Sequence, residues 1–216
     1  METLAIMSSM VRSNNPSAED LAISISEVCR RLRPVALLVD CAPDNMLYTI
    51  QELANTLTLQ EVPSYPNGTS QILSNVSIIP PDPPAGSKFR GTEILIPRPT
   101  AEYHIPYIYT ATRNFGVQDP RGETIGIFEN VDNQLVLRNQ VYTGLERIRG
   151  MMSGEQAGFG GEAYIVAGAD LGTGGVKVFK RTEGGANLEE VAVNTTIPIR
   201  TTFVWLNQQS YVGLSI

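Results

Sequence analysis

Side chains capable of acid–base or nucleophilic chemistry are scattered along this sequence and form no recognisable motif. Acid–base catalysis commonly uses a pair of carboxylates. Six candidates lie at Asp40, Asp44, Glu123, Glu129, Asp132 and Glu146. No spacing among them selects a pair. The one histidine, His104, falls inside a predicted strand, where packing or solvent exposure explains it better than general-base catalysis.

The sequence also lacks the usual patterns of metal and nucleotide sites. A structural zinc site needs four clustered Cys, His or carboxylate ligands, and no P-loop or Rossmann glycine pattern is present. Cys29 and Cys41 are too few for a disulfide framework. Both lie in apolar patterns typical of small buried side chains, and the sequence leaves open whether they approach each other. We therefore predict no catalytic residue, no metal and no cofactor.

The segment Asp170-Leu-Gly-Thr-Gly-Gly-Val-Lys-Val178 carries the most suggestive glycine pattern. It resembles the first phosphate-binding hairpin of sugar kinases and actin-like ATPases. In that superfamily the turn backbone approaches the ATP phosphates, and the aspartate works with the metal. There the hairpin opens a long domain with further nucleotide motifs, whereas here the chain continues only to Ile216. An ordinary hairpin with glycines at positive φ explains the segment better.

The charge pattern argues against a nucleic-acid partner, and the lengths of the apolar runs argue against a membrane span. The formal net charge is -6. The only cationic cluster, Arg30-Arg31-Leu32-Arg33, ends a predicted helix, where positive charge suits the helix dipole, whereas nucleic-acid binding usually requires a broad basic surface. No apolar run approaches the roughly 20 residues of a membrane helix. The segment Met1-Glu-Thr-Leu4 lacks the features of a signal peptide, which favours synthesis in the cytoplasm.

The first third of the chain has helical patterns. We predict a flexible arm over 1–16 and a helix–strand–helix segment over 17–65. The first helix starts at the N-cap residue Ser17, and the second is capped by Asp44. The inner face of the second helix would contain Met46 or Leu47, Ile50, Leu53, Ala54 and Leu57.

From residue 66 onward, alternating apolar and polar positions predict strands separated by turns. The best-defined strands are Tyr103–Thr112, Thr124–Asn130 and Gln134–Tyr142, and the last two form a predicted hairpin. Weaker strands are predicted at Gln71–Ile79, Glu93–Ile96, Ala163–Ala167, Val176–Arg181, Glu189–Ile197, Thr201–Leu206 and Tyr211–Ile216. This pattern of about nine or ten short strands predicts a mainly β protein with a small α/β N-terminal segment, in which 66–216 form a jelly-roll-like β-sandwich.

Two further segments and one set of buried side chains are predicted within this domain. Leu145–Arg149 is predicted as a helical turn and Gly150–Gly161 as a loop. Strand alternation places Tyr103, Tyr107 and Tyr109 on one face, which we expect to belong to the core.

The absence of a catalytic motif and the low share of charged residues, 18%, favour a structural protein over an enzyme. An arm followed by a sandwich is the layout of many virus-particle subunits, an analogy from fold to role. We therefore predict a non-enzymatic virion protein, either a capsid shell subunit or a protrusion or decoration protein. It would be made in the host cytoplasm, self-associate with two- or threefold symmetry and contact a second shell protein.

Two other function classes stay open at this point. The first is a carbohydrate- or peptide-binding sandwich that uses the segments Pro80–Gly86 and Gly150–Gly161 as contacts. The second is an enzyme with an unrecognised carboxylate site.

Overall fold

The computed structural model describes residues 37–41, 46–61, 71–154, 160–172, 175–197 and 203, with only the backbone described for 37–41. These residues form twelve strands in three antiparallel four-stranded sheets. The first sheet contains β1 Leu37–Cys41, β2 Met46–Gln51, β3 Thr56–Glu61 and β4 Ile72–Ser77. The second contains β5 Phe89–Leu95, β6 Ile108–Asn114, β7 Thr124–Val131 and β8 Gln134–Tyr142. The third contains β9 Glu146–Ser153, β10 Tyr164–Leu171, β11 Val176–Thr182 and β12 Asn187–Asn194.

Each sheet is a simple meander, in which every strand pairs with the next strand along the chain. The predicted mainly β character is therefore confirmed. A jelly roll instead places strands from distant parts of the chain side by side, through Greek-key connections. No such pairing occurs among the strands described here, because each strand pairs only with its neighbours along the chain.

The second sheet is buried on both faces. Successive side chains of a strand point to opposite faces, and in β7 both Ile127 and Phe128 are 0% exposed. Ile127 packs in a cluster with Ile148 and Phe179 of the third sheet, whereas Phe128 packs with residues of the first sheet that include Tyr48. The three sheets are therefore stacked face to face, with the second sheet in the middle.

The stack has a distinct inner edge, made by the first strand of each sheet. Strand β5 contacts both β1 and β9, while on the opposite side of the stack β8 contacts both β4 and β12. The same order therefore runs through all three sheets. The described part of the chain thus repeats one structural unit three times, although no sequence repeat is detectable.

Two predicted helical segments are strands in the structure. The second helix predicted from Asp44 is wrong, because β2 and β3 occupy that region with a turn between them at which Asn55 has a φ of 54°. Its apolar residues also fit a period of two, since Tyr48 and Leu59 are cross-strand partners on one buried face. The helical turn predicted at Leu145–Arg149 is likewise wrong, because β9 covers it. In addition, β3 pairs with β4 across the predicted boundary at residue 66.

The two predicted hairpins are confirmed. Asp132 and Asn133 connect β7 to β8 with φ values of 51° and 63°, as a two-residue type I′ hairpin requires. Strands β10 and β11 pair as a hairpin, with Gly172 and Gly175 at φ values of 68° and 72°. The predicted loop from Gly150 is wrong at its start, because β9 continues to Ser153.

The predicted strand Tyr103–Thr112 begins later than expected. Residues 96–107 form an irregular connection that contains Pro97, Pro99 and Pro106, and β6 starts at Ile108. Proline cannot donate a hydrogen bond to a ladder, which explains the late start. The expectation for the tyrosines is confirmed, because all three are buried in the core: Tyr103, Tyr107 and Tyr109.

Several predictions lie outside the described residues: the arm over 1–16, the first helix, Cys29, and the strands Thr201–Leu206 and Tyr211–Ile216. Within the part of the chain that the structure describes, no helix has the length and hydropathy to cross a membrane.

Burial of both faces of the second sheet predicts large costs for adjacent substitutions. Ile127→Ala and Phe128→Ala should each lower the free energy of unfolding by about 2–5 kcal/mol, because each removes a side chain from a different core. The exposed Leu137→Ala is the control and should cost less than about 0.5 kcal/mol. Urea denaturation measures all three. A small cost for either core variant would contradict the three-layer stack.

Candidate functional site

Two neighbouring strands of the inner edge carry β-bulges. In β5 the pairing with β6 passes from Gly91 to Glu93, which leaves Thr92 as the extra residue. In β9 the pairing with β10 passes from Ile148 to Gly150, which leaves Arg149 as the extra residue. Bulges redirect side chains and are common next to active sites.

Among the titratable groups at this edge, Glu93 has the pKa that lies farthest from its ordinary value. Burial raises the pKa of Glu93 from 4.5 to about 8, whereas the nearby charges of Arg113 and Arg149 act to lower it. The carboxyl group is thus partly desolvated but lies close enough to two guanidinium groups to feel their charge. A carboxyl group that titrates near neutral pH suits proton transfer.

Three guanidinium groups surround the ring of Phe115, just beyond the end of β6. The Cζ atoms of Arg90, Arg113 and Arg147 lie 5.3, 5.5 and 4.7 Å from the ring centroid. The ring is 45% exposed, which is unusual for so large an apolar side chain with such neighbours. The exposed part of Phe115 faces solvent.

Two carboxylates pair with these three arginines. Glu52, in the turn between β2 and β3, lies 3.5 Å from Arg90 and 3.4 Å from Arg113. Asp170, at the end of β10, lies 3.0 Å from Arg147. Residues from all three sheets therefore meet at this place.

The cluster has an excess of positive charge. Four arginines, with Arg149 included, face three carboxyl groups, and the pKa of Arg113 is lowered by burial and by the charge of Arg149. The backbone of Arg147 also has a φ of 58°, a left-handed conformation that is costly for a residue other than glycine. Such strain is concentrated at functional sites. We call the group Glu52, Arg90, Glu93, Arg113, Phe115, Arg147, Arg149 and Asp170 the inner-edge cluster.

Among the six carboxylates predicted from sequence, Glu123 is the one that supports this cluster. Its two carboxyl oxygens accept hydrogen bonds from the backbone N–H groups of Asn114 and Ile148, the latter at 2.8 Å. Burial raises the pKa of Glu123 to about 7, although these N–H donors act in the opposite direction. Glu123 is thus a buried structural carboxyl that joins the second and third sheets.

The other sequence candidates are not brought together. Glu129 pairs with Arg138 on the neighbouring strand at 2.6 Å, Asp132 lies in a hairpin turn, and Glu146 begins β9. The side chains of Asp40 and Asp44 lie outside the described residues. His104 is exposed in the connection before β6, at the opposite end of that strand from Phe115.

Sequence reasoning missed Glu93 and the arginines. A signal for Glu93 was present, because a carboxylate lay in a short predicted strand that is otherwise apolar. No sequence pattern connected it with Arg113 and Arg149. Among the described residues, no group of three or more His, Cys, Asp or Glu side chains could hold a metal ion.

Comparison with known proteins gives a fold relationship without a family. No protein-family model and no curated protein matches the sequence significantly. A solved protein from Lactobacillus plantarum matches with a TM-score of 0.60 at 18% identity, over 76% of this chain and 43% of that chain. The periplasmic gluconolactonase of Pseudomonas aeruginosa matches with a TM-score of 0.55 at 12% identity, over 76% of this chain and 40% of that chain. A proposed 6-phosphogluconolactonase from Bacteroides fragilis gives 0.50 at 15% identity, over 71% and 37%.

The chain shares a fold with these proteins and spans less than half of their length. The prediction of a virion structural protein is wrong, because two of these solved structures are described as lactonases and none as a shell subunit. The prediction that the chain is not an enzyme and the assignment to virions are corrected for the same reason. The expected two- or threefold self-association stays a prediction.

Replacing Glu93 with glutamine should make stability less sensitive to alkaline pH. Since the pKa of Glu93 in the folded protein lies above its ordinary value of 4.5, the stabilisation is fully present below about pH 4.5 and is lost as the pH rises through 8. The amide of E93Q cannot ionise. We expect its melting temperature to fall less than that of the wild type between about pH 6 and pH 9. Glu189→Gln, exposed on β12, is the control and should follow the wild type. The same pH dependence of the melting temperature in all three proteins would contradict the raised pKa of Glu93.

Proposed function

We propose that this chain supplies three blades of a β-propeller hydrolase that opens the lactone ring of an anionic sugar-acid derivative. Propellers consist of four-stranded antiparallel blades arranged around a central channel. Three stacked meanders with their first strands at a common edge fit this arrangement better than the two layers of a sandwich. The fold shared with the gluconolactonase of Pseudomonas aeruginosa supports the reaction class.

The observation that carries the proposed chemistry is the largely buried carboxyl of Glu93, whose pKa is raised by burial while the charges of Arg113 and Arg149 act on it. In lactone hydrolysis, a water oxygen attacks the acyl carbon, and negative charge develops on the carbonyl oxygen. The ionised Glu93 would take the proton of that water, and the two guanidinium groups would stabilise the oxyanion. The ring C–O bond then breaks, and the leaving ring oxygen takes that proton from Glu93 to become a hydroxyl group. The new carboxylic acid loses its remaining proton to solvent, and the product carboxylate stays beside the arginines until it is released.

The outer part of the inner-edge cluster suits an anionic substituent on the substrate. Arg90 is half exposed, and Arg147 is a quarter exposed, beside the open side of Phe115. Guanidinium groups bind phosphate and carboxylate oxygens in pairs. A phosphorylated sugar lactone would therefore place its ring near Glu93 and its phosphate near Arg90 and Arg147.

Hydrolysis of two lactones tests this proposal. The purified chain is given glucono-1,5-lactone or its 6-phosphate, and the acid released is titrated at constant pH with the spontaneous rate subtracted. We expect faster turnover of the phosphorylated compound. Arg113→Gln should lower kcat/KM by about 10²-fold or more, because it removes an oxyanion partner. Arg138→Gln, on the outer strand β8, is the matched control and should leave kcat/KM unchanged. No turnover above the spontaneous rate for either lactone would overturn the proposal.

The pH dependence of the reaction tests the role of Glu93. Because the base must be ionised, kcat/KM should rise with pH and level off above an apparent pKa near 8. Glu93→Gln should abolish that rise together with most of the activity. An unchanged profile in E93Q would assign the proton transfer to another group.

A further inference from the structure

The peptide groups on either side of Ile148 are held by two side chains of the second sheet. The backbone N–H of Ile148 donates to Glu123 Oε2 at 2.8 Å. The carbonyl oxygen of Ile148 lies 3.2 Å from the hydroxyl of Thr92. Ile148 lies between Arg147 and Arg149, so these two contacts fix the short segment that presents both arginines.

Each of these side chains also contacts β6 next to Arg113. Glu123 accepts a hydrogen bond from the N–H of Asn114, and the Thr92 hydroxyl also lies 3.2 Å from the carbonyl oxygen of Ala111. The single hydroxyl proton of Thr92 is therefore shared between β6 and β9. Arg113 lies on the β6 segment between these two contacts.

The two inner strands β5 and β9 belong to different sheets, so no ladder of backbone hydrogen bonds sets their spacing. Thr92 is the extra residue of the β5 bulge, directly before Glu93, and it reaches across to the residue before Arg149. The hydrogen bond from the Thr92 side chain therefore links β5 to β9, as backbone hydrogen bonds link strands within one sheet.

We propose that Thr92 and Glu123 are positioning residues, which clamp Ile148 between the second and third sheets and thereby set the spacing of Glu93, Arg113 and Arg149. The inference rests on the proposed function for its catalytic meaning. Its structural part, the effect of the clamp on the surroundings of Glu93, can be tested without any substrate. Catalytic groups need support of this kind, since small displacements cost large factors in rate.

Substitution of Thr92 separates its hydroxyl group from its shape. Thr92→Val keeps the branched side chain and loses the donor, whereas Thr92→Ser keeps the donor. The titration of Glu93 is followed by carbon NMR of carboxyl-labelled protein, with the resonance assigned by its loss in E93Q. Without the clamp Arg149 moves freely and favours the ionised carboxyl less. The pKa of Glu93 should therefore rise by about 0.5 or more in T92V and stay at the wild-type value in T92S.

Kinetics give the second measurement. In T92V we expect kcat to fall by about tenfold with KM within about twofold of the wild type, and in T92S we expect both to be retained. In Glu123→Gln, one of the two side-chain oxygens that accept backbone hydrogen bonds is replaced by an amide nitrogen. The pKa of Glu93 should therefore rise in this variant as well. Should the wild type hydrolyse neither lactone, the proposed function fails, and the Glu93 titration still decides on the clamp. An unchanged Glu93 titration in folded T92V and E123Q would overturn the clamp.

Discussion

The structure depends on a second sheet whose central strands, β6 and β7, are buried on both faces. Because these strands lie between two other sheets, polar groups at the interfaces are costly unless they find partners in the protein. Thr92 and Glu123 satisfy this requirement by bonding to the backbone of the third sheet. Tyr109 does so as well, through its hydroxyl, which donates to the carbonyl oxygen of Gly185 at 2.7 Å. Polar contacts between the sheets therefore set their spacing, while the two apolar cores hold them together.

The same stacking explains why charge collects at the inner edge. The first strands of the sheets converge there, so turn and strand-end residues from three sheets meet within one cluster. Burial at this edge raises the pKa of Glu93 and lowers that of Arg113, both through loss of water around the charged form. Ion pairs of Glu52 and Asp170 with the arginines offset part of that cost. The raised pKa of Glu93 is thus a consequence of where the sheets meet.

The sequence predicted features that depend on neighbouring residues and missed features that depend on long-range contacts. The hairpin of β7 and β8 was predicted from two alternating runs with a short connection, and its strand ends agree with the structure to within one residue. The segment from Asp44 was predicted as a helix, because its apolar residues fit both a helical period and a period of two. Packing against Phe128 selects the strand, and that contact is invisible along the chain. Glu93 was missed because its importance comes from Arg113 and Arg149, which follow it by many residues.

The sequence by itself determined the strand-rich character, the positions of the tight turns and the burial of the tyrosines near β6. The strands and turns depend on backbone preferences and on alternation within single strands, so they need no distant partner. Only the tertiary structure decided that three meanders stack in register, that Thr92 and Arg149 become bulged residues, and that four arginines gather around Phe115 and Glu93. Those features arise from contacts between different sheets, and the desolvation that alters the Glu93 carboxyl exists only once the sheets have packed.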